Sequence, residues 1–429
     1  MINTQDLRTI VLKQKEEIEK IDSSIERDIL NEILNWFDDN RVIILTGIRR
    51  CGKSTMLKQI MKNKEHYCYV NFEDERFLDF KAQNFEILNE VLIEIYDNPK
   101  IYFFDEIQNI EKFETFVRRL QDEGKKIIIT GSNASLLSKE FGTRLTGRYK
   151  PFEIFPFSFS EYLNFKNIKT EKDWNYKTEK RVEIKKALNE YMIFGGFPEY
   201  LKTQDKEYIK NILDNILYKD IIARYSIKKH RIIKELINIL ITNISSTFTY
   251  NSIKTTLQLA NSITVKEYIS YLTNSYFFFE LTKFDYSLRK SLNSPKKIYL
   301  IDNAFNQIAG FNFSPNSGKN IENIVFIELK RRKKELYYYT DKGECDFIIK
   351  DGSLVTEAIQ VCYSLNNENK EREVNGLLAA LKKFKMKKGI IITFDQEEEF
   401  NVADKKIKLI PIWKWLLEKD QLEHKQNRN

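Results

Sequence analysis

Between Arg41 and Ile60 the chain passes from an apolar run to a glycine loop to a helical pattern, and no other stretch constrains its fold as much. Arg41-Val-Ile-Ile-Leu-Thr46 predicts a short buried strand, and Met56, Leu57 and Ile60 fall at helical spacing. Between them lies Gly47-Ile-Arg-Arg-Cys-Gly52-Lys53-Ser54-Thr55, with the spacing GxxxxGK[ST]. In that spacing the backbone amides of Gly47, Ile48, Arg49, Arg50, Cys51 and Gly52 can curl round phosphate oxygens at a helix N-terminus. Lys53 adds charge, and Ser54, followed by Thr55, supplies a hydroxyl for Mg²⁺. ATP and Mg²⁺ are therefore the expected cofactors. A glycine turn before an ordinary helix is the alternative.

A second apolar run, Ile101-Tyr-Phe-Phe-Asp105-Glu106, ends in two adjacent acids. Asp105 is expected to bind Mg²⁺ through water, and Glu106 to orient and deprotonate an attacking water, the division of labour that nucleotide hydrolysis requires. A helix N-cap pair is the plainer reading. A third run, Lys126-Ile-Ile-Ile-Thr130, leads into Gly131-Ser132-Asn133, which brings Ser132 and Asn133 to the same sheet edge, where they could report on a γ-phosphate or simply form a turn. Arg144 and Arg148 follow; either could stabilise transition-state charge, in its own subunit or in a neighbour's, or form a surface ion pair.

A chain of 429 residues divides into two to four domains. With 42% apolar residues it has ample material for packed cores. No apolar run approaches the ~18 residues of a membrane helix, and the first residues carry no basic stretch followed by a hydrophobic one, so no membrane partner is expected. Cys51, Cys68, Cys345 and Cys362 stand singly, and with three His they offer no metal cage; they fit reduced thiols in a cytoplasm. The net charge of +8 permits an anionic partner without demanding one.

Thr46–Thr55, Tyr69–Glu75, Phe104–Gln108, Thr130–Ala134, Pro156–Tyr162 and Gly195-Gly-Phe-Pro-Glu-Tyr200 together resemble the AAA-type P-loop ATPases of bacteria and archaea, close to the origin-recognition and STAND branches and joined to a C-terminal domain of unknown function. The resemblance runs over nearly the whole chain. It implies an α/β architecture: a P-loop AAA parallel sheet, a helical lid, a winged-helix domain and a nuclease-like, restriction-endonuclease-like α/β tail. It also implies that Gly196 and Pro198 lie in a lid that closes on nucleotide, although a plain Gly-Pro loop between helices would read the same.

The expected domains are residues 1–155 (AAA core), 156–229 (lid), 230–294 (winged helix) and 295–429 (tail). In the third, helices over 232–241, 250–260 and 265–275 precede a β-like hairpin, Tyr276–Leu281 with Phe284–Leu288. Thr264, Lys266, Glu267 and Ser270, with Arg289 and Lys290, would face DNA if this module binds it. In the tail, Glu322 and Asp346 match the first two positions of the PD-(D/E)xK arrangement, but Gln360 and Cys362 stand where the carboxylate and the lysine belong. Gln is a poorer Mg²⁺ ligand than a carboxylate, and Cys supplies no ammonium. A degenerate site is expected, with Glu344 or Glu357 as the only substitutes. The basic runs Lys330–Lys334 and Lys382–Lys388 could still touch phosphates. The overall expectation is a cytoplasmic, Mg²⁺-dependent ATPase with DNA as partner and a homo-oligomer allowed. A nucleotide-switched protein-interaction assembly and an active ATP-gated nuclease are the alternatives.

Overall fold

The computed structural model describes residues 3–20, 24–62, 64–137, 147–170, 174–308 and 317–418. It divides into two compact units, the first holding the chain up to Phe155 with Asn274–Tyr276, the second holding Pro156–Thr273 and the chain from Phe277 onward.

The first unit is built on five parallel strands: β1 (Val42–Thr46), β2 (Tyr67–Asn71), β3 (Ile101–Asp105), β4 (Lys126–Gly131) and β5 (Tyr149–Glu153), in the order β2-β3-β4-β1-β5. Every residue of β1 is buried, as a parallel strand covered on both faces requires, which is why it reads as an unbroken apolar run. Phe113, Phe116, Val117 and Leu120 form the buried stripe of helix Phe113–Asp122, at three- and four-residue steps. Phe116 stacks on Phe85 at 4.5 Å, and Phe72, Phe77, Phe80 and Phe104 extend this aromatic layer under the sheet. Helix Thr4–Ile18 adds Leu7, Ile10 and Val11 to the same core and starts at a capping box made by Asn3 and Asp6.

Helices Thr178–Phe194, Pro198–Thr203 and Lys206–Asn215 open the second unit; the last runs on through a π-helical stretch, Ile216–Ala223. Helices His230–Thr242, Tyr250–Thr256 and Ser262–Asn274 follow, interleaved with an antiparallel sheet of β6 (Thr247–Phe248), β7 (Phe278–Thr282) and β8 (Lys296–Leu300) in the order β6-β8-β7. The hairpin expected from sequence differs in its second strand. Phe278–Thr282 pairs with Lys296–Leu300, while Leu288–Asn293 is a helix capped by Ser287. For the same reason a joint at residue 294 would cut a sheet, because β8 is its central strand. Cross-strand pairing over more than a dozen residues leaves no mark in local periodicity.

A six-stranded sheet completes the unit. Helix Ser317–Arg331 leads to β9 (Glu335–Thr340), β10 (Glu344–Asp351) and β11 (Leu354–Val361), helix Lys370–Lys383 to β12 (Lys388–Thr393), and then come β13 (Glu398–Val402) and β14 (Lys405–Pro411), ordered β13-β14-β12-β11-β10-β9. Among the described residues no helix is long and apolar enough to cross a membrane.

Candidate nucleotide-binding site

The strand order decides which residues meet. With β4 between β1 and β3, the loop after β1 and the two acids after β3 lie on either side of the end of β4, at the carboxyl edge of the sheet, where crevices form in such folds. Gly47 takes φ +153°, and a Cβ there would lie 2.1 Å from the Ile154 carbonyl oxygen, so only glycine fits. Gly52 takes φ +103° and is the N-cap of helix Lys53–Met61. Ile48 and Cys51 are buried, while Arg50 and Ser54 are exposed at the mouth of the loop, with Thr55 half-buried. Arg49 forms an ion pair with Glu73.

The Lys53 ammonium is folded back into its own loop, 3.2 Å from the carbonyl oxygens of Gly47 and Ile48 and 3.2 Å from Glu106 Oε1. Burial alone would lower its pKa, but the neighbouring groups together, Glu106 foremost and then Cys51 and Asp105, outweigh it and hold Lys53 above its ordinary value. Glu106 is held below its ordinary value although burial opposes this, with Lys53 as the chief counterweight. Asp105 goes the other way: burial, and then the neighbouring Glu106 charge, push it up.

Asp105 accepts hydrogen bonds from the Thr130 hydroxyl and from Tyr69 Oη at 3.2 Å, and the Ser54 hydroxyl lies within its hydrogen-bonding reach. The two candidate Mg²⁺ ligands, Ser54 and Asp105, are thus brought together. Glu106 has φ +50°, and its amide donates to Thr130 Oγ1 at 2.9 Å, so one threonine at the end of β4 orients both acids. Glu106 Oε2 accepts from Gln108 Nε2 and, at 3.2 Å, from the Ser132 amide. Asn133 is buried beside it. The Ser132 hydroxyl and Gln108 Oε1 are buried without a hydrogen-bond partner.

Arg27 escaped the sequence reading. It is buried, and its guanidinium donates to the Cys51 carbonyl at 3.0 Å and to the Phe155 carbonyl, which pins the phosphate loop from behind. Nothing in its neighbourhood of polar residues marks it out; its role exists only through contacts 24 and 128 residues away.

Arg148 lies elsewhere. Its carbonyl accepts from the Val42 amide at the start of β1, the end opposite Gly47, and its guanidinium pairs with exposed Asp122 at 3.0 Å. A five-residue strand at ~3.3 Å per residue separates it from the phosphate loop of its own chain by about 16 Å, so it cannot act there. Arg144 is outside the described residues. Gly196 and Pro198 belong to the second unit. The Gly196 amide donates to Asp302 Oδ2 at 2.8 Å, its carbonyl accepts from the Phe157 amide at 2.7 Å, and Pro198 starts a helix at its first turn.

Residues 39–163 match the family model described as an AAA domain, and residues 185–313 match one described as a domain of unknown function, DUF8612. Over 97% of this chain and 96% of the other, the sequence is 38% identical to an uncharacterized protein, MJ1544, of Methanocaldococcus jannaschii. The chain belongs with MJ1544 to one family of AAA-domain proteins. An uncharacterized protein of Haemophilus influenzae is 30% identical over 91% of this chain and 97% of its own length. Among solved structures, domain III of the Thermotoga maritima replication initiation protein DnaA aligns with 37% of this AAA-domain chain and 76% of its own at 20% identity and a TM-score of 0.25. The STAND protein PH0952 of Pyrococcus horikoshii aligns with 73% and 47% at 14% identity and 0.26.

In the second unit of this family member, Glu322 and Asp346 do come together. Gln360 is turned to its neighbours: its amide donates to Glu373 Oε2 at 2.7 Å and its carbonyl accepts from the Asp346 amide at 3.3 Å. Cys362 is buried, and burial pushes its thiol up to about 12. Within the basic run Lys330–Lys334, which the sequence offered to phosphates, the two arginines are engaged by their own unit. Arg331 is half-buried and donates to the Pro156 and Phe157 carbonyls at 2.9 and 3.1 Å, and Arg332 pairs with Glu328 at 2.9 Å and donates to the Trp415 carbonyl at 3.0 Å. Neither is available to a phosphate backbone.

Proposed function

We propose that this protein binds ATP with Mg²⁺ at the loop Gly47–Thr55 and hydrolyses it. The observation that carries the reading is the meeting of Lys53, Asp105 and Glu106 around Thr130, beside the unpartnered Ser132 hydroxyl. These residues fit the group. Ser54 and Asp105 would hold Mg²⁺, which supplies charge neutralisation on the phosphates when bound. The glycine loop and the start of helix Lys53–Met61 offer backbone amides to phosphate oxygens, and Lys53, released from Glu106, offers its ammonium. Glu106, held ionised and positioned by Gln108 and the Ser132 amide, is the group that takes the proton of the attacking water. The Ser132 hydroxyl is free to bind either that water or a γ-phosphate oxygen. Purified Lys53→Ala protein is expected to lose ATP binding in a fluorescent-nucleotide titration and to lose phosphate release; unchanged turnover would remove the reading.

Residues 230–300 support a second, narrower reading as a winged-helix module. Four helices and the β6-β8-β7 sheet make up this stretch, and Lys266, Arg289 and Lys290 are exposed on it. Duplex DNA is the partner this reading proposes, and binding that weakens with salt is its measurement. The support rests on those cations and on Lys382–Lys388, since Arg331 and Arg332 are committed inside the unit.

A further inference from the structure

Lys297 was not among the residues the sequence singled out, yet it stands at the centre of the tail's acidic cluster. It lies on β8, the middle strand of the three-stranded sheet, with 1% of its side chain exposed. Its ammonium is 2.9 Å from Glu322 Oε1 on helix Ser317–Arg331, and 2.8 Å from both Glu344 Oε1 and Asp346 Oδ1 on β10 of the six-stranded sheet. An ammonium has three N–H donors and no acceptor, so three carboxylates saturate it. The carboxylates are held in turn. Tyr299 Oη donates to Glu322 Oε1 at 2.7 Å, and the Val361 amide donates to Asp346 Oδ2 at 2.9 Å. Burial would lower the pKa of Lys297, but Asp346 and Glu322 outweigh it and keep the lysine charged well above its ordinary range.

Glu322 and Asp346 are the acids that the sequence pattern assigns to a divalent cation, and the residues present do not fit one. Mg²⁺ requires oxygens at ~2.0–2.1 Å in an octahedral shell, and the point equidistant from these three carboxylates is filled by the lysine nitrogen. The third acidic position is Gln360, whose oxygen is already used by the Asp346 amide. A buried lysine and buried acids each carry a large desolvation penalty, and each offsets the other's only while both are present.

We infer that the Lys297 ammonium takes the place of a divalent cation in this cluster, so that the tail carries a metal-independent ionic joint between the three-stranded and six-stranded sheets in place of a metal-dependent hydrolytic centre. The positive charge at the centre of the cluster, half that of a divalent cation, is supplied covalently by a strand that precedes all three acids in the chain. Lys297→Met keeps the apolar stem and removes the ammonium, leaving three carboxylates facing one another. Such a cavity is a cation site.

Titration with Mn²⁺, read by electron paramagnetic resonance on nucleotide-free protein, tests this. The wild type is expected to hold no Mn²⁺ that depends on Asp346. Lys297→Met is expected to bind one Mn²⁺ per chain at least about tenfold more tightly, which corresponds to about 1.4 kcal/mol. That site should vanish on adding Asp346→Asn but not on adding Asp105→Asn, which separates it from any cation at the phosphate loop. Mn²⁺ should also raise the melting midpoint of Lys297→Met by more than it raises that of the wild type. A wild-type site abolished by Asp346→Asn, or a folded Lys297→Met protein that binds no Mn²⁺, overturns the inference. If Lys297→Met does not fold, the wild-type arm decides: a midpoint response to Mn²⁺ that is equal in the wild type and Asp346→Asn supports the ionic joint, and a larger rise in the wild type than in Asp346→Asn overturns it.

Discussion

Replacing Glu106 by Gln should change binding and turnover in opposite directions. In the resting site Lys53 is held by Glu106 at 3.2 Å, with both side chains at least nine-tenths buried. Coulomb's law at that distance with an effective dielectric of about 20 gives roughly 5 kcal/mol of attraction. The net contribution of a hydrogen bond to a charged group is nearer ~1.5–3 kcal/mol, because both groups also leave water. Lys53 must give up part of that to reach phosphate. Glu106→Gln keeps the shape and removes the charge, so about 1–2 kcal/mol of the opposing interaction disappears and ATP should bind roughly 5–30-fold more tightly. Gln cannot take a proton, so turnover should fall by about 10²–10⁴ if Glu106 is the general base. Isothermal titration with ATP and Mg²⁺ reads the first effect, and steady-state phosphate release the second. Turnover within about threefold of wild type would refute the role of base. Weaker binding with intact folding would refute the resting ion pair as the competitor of phosphate.

Two further outcomes follow from groups in the second unit. Asp302 is buried, and burial pushes its carboxyl up to about 6 from an ordinary 3.8, against the opposing pull of the Ala304 and Gly196 amides and the Arg331 charge. The folded state then keeps a proton that the unfolded chain has released, so its contribution is full below about pH 3.8 and is lost as pH rises through about 6. A rise of that size is equivalent to about 3 kcal/mol; urea midpoints of wild type should fall over that window relative to Asp302→Asn, and parallel pH curves for the two proteins would contradict the assignment. If Lys266, Arg289 and Lys290 contact duplex DNA, replacing all three by Ala should flatten the plot of log affinity against log salt by about 0.9 per lost phosphate contact, whereas Arg331→Ala should leave that slope alone. An unchanged slope in the triple variant would remove the DNA reading.

The phosphate loop, its strand and helix, and the acids Asp105 and Glu106 were legible in the sequence because each is fixed by neighbours in the chain: glycines where φ is positive, an unbroken apolar run where a strand is covered on both faces, and charge where that run ends. The phosphate-binding reading of residues 41–106 follows from those local rules, whereas the AAA family was implied only by the resemblance of motifs spread from Thr46 to Tyr200. What the sequence could not decide is whatever depends on strand order and on pairing between distant segments. Arg148 looked able to reach the phosphates, but parallel pairing of β5 with β1 carries it to the far end of the strand. Arg331 and Arg332 looked able to touch a phosphate backbone, but at the end of helix Ser317–Arg331 they donate to backbone carbonyls of the second unit. Thr130 and Arg27 look like ordinary polar residues until the sheet sets one between two acids and the other behind the phosphate loop. Lys297 lies in a strand that local pattern joined to the tail. Its pairing with β6 and β7 makes it the centre of another sheet, and only the approach of β10 to that sheet surrounds its ammonium with carboxylates. In each case local sequence sets the element, and the physical reason for the difference is that contacts between elements are made by side chains tens or hundreds of residues apart, whose meeting no local periodicity encodes.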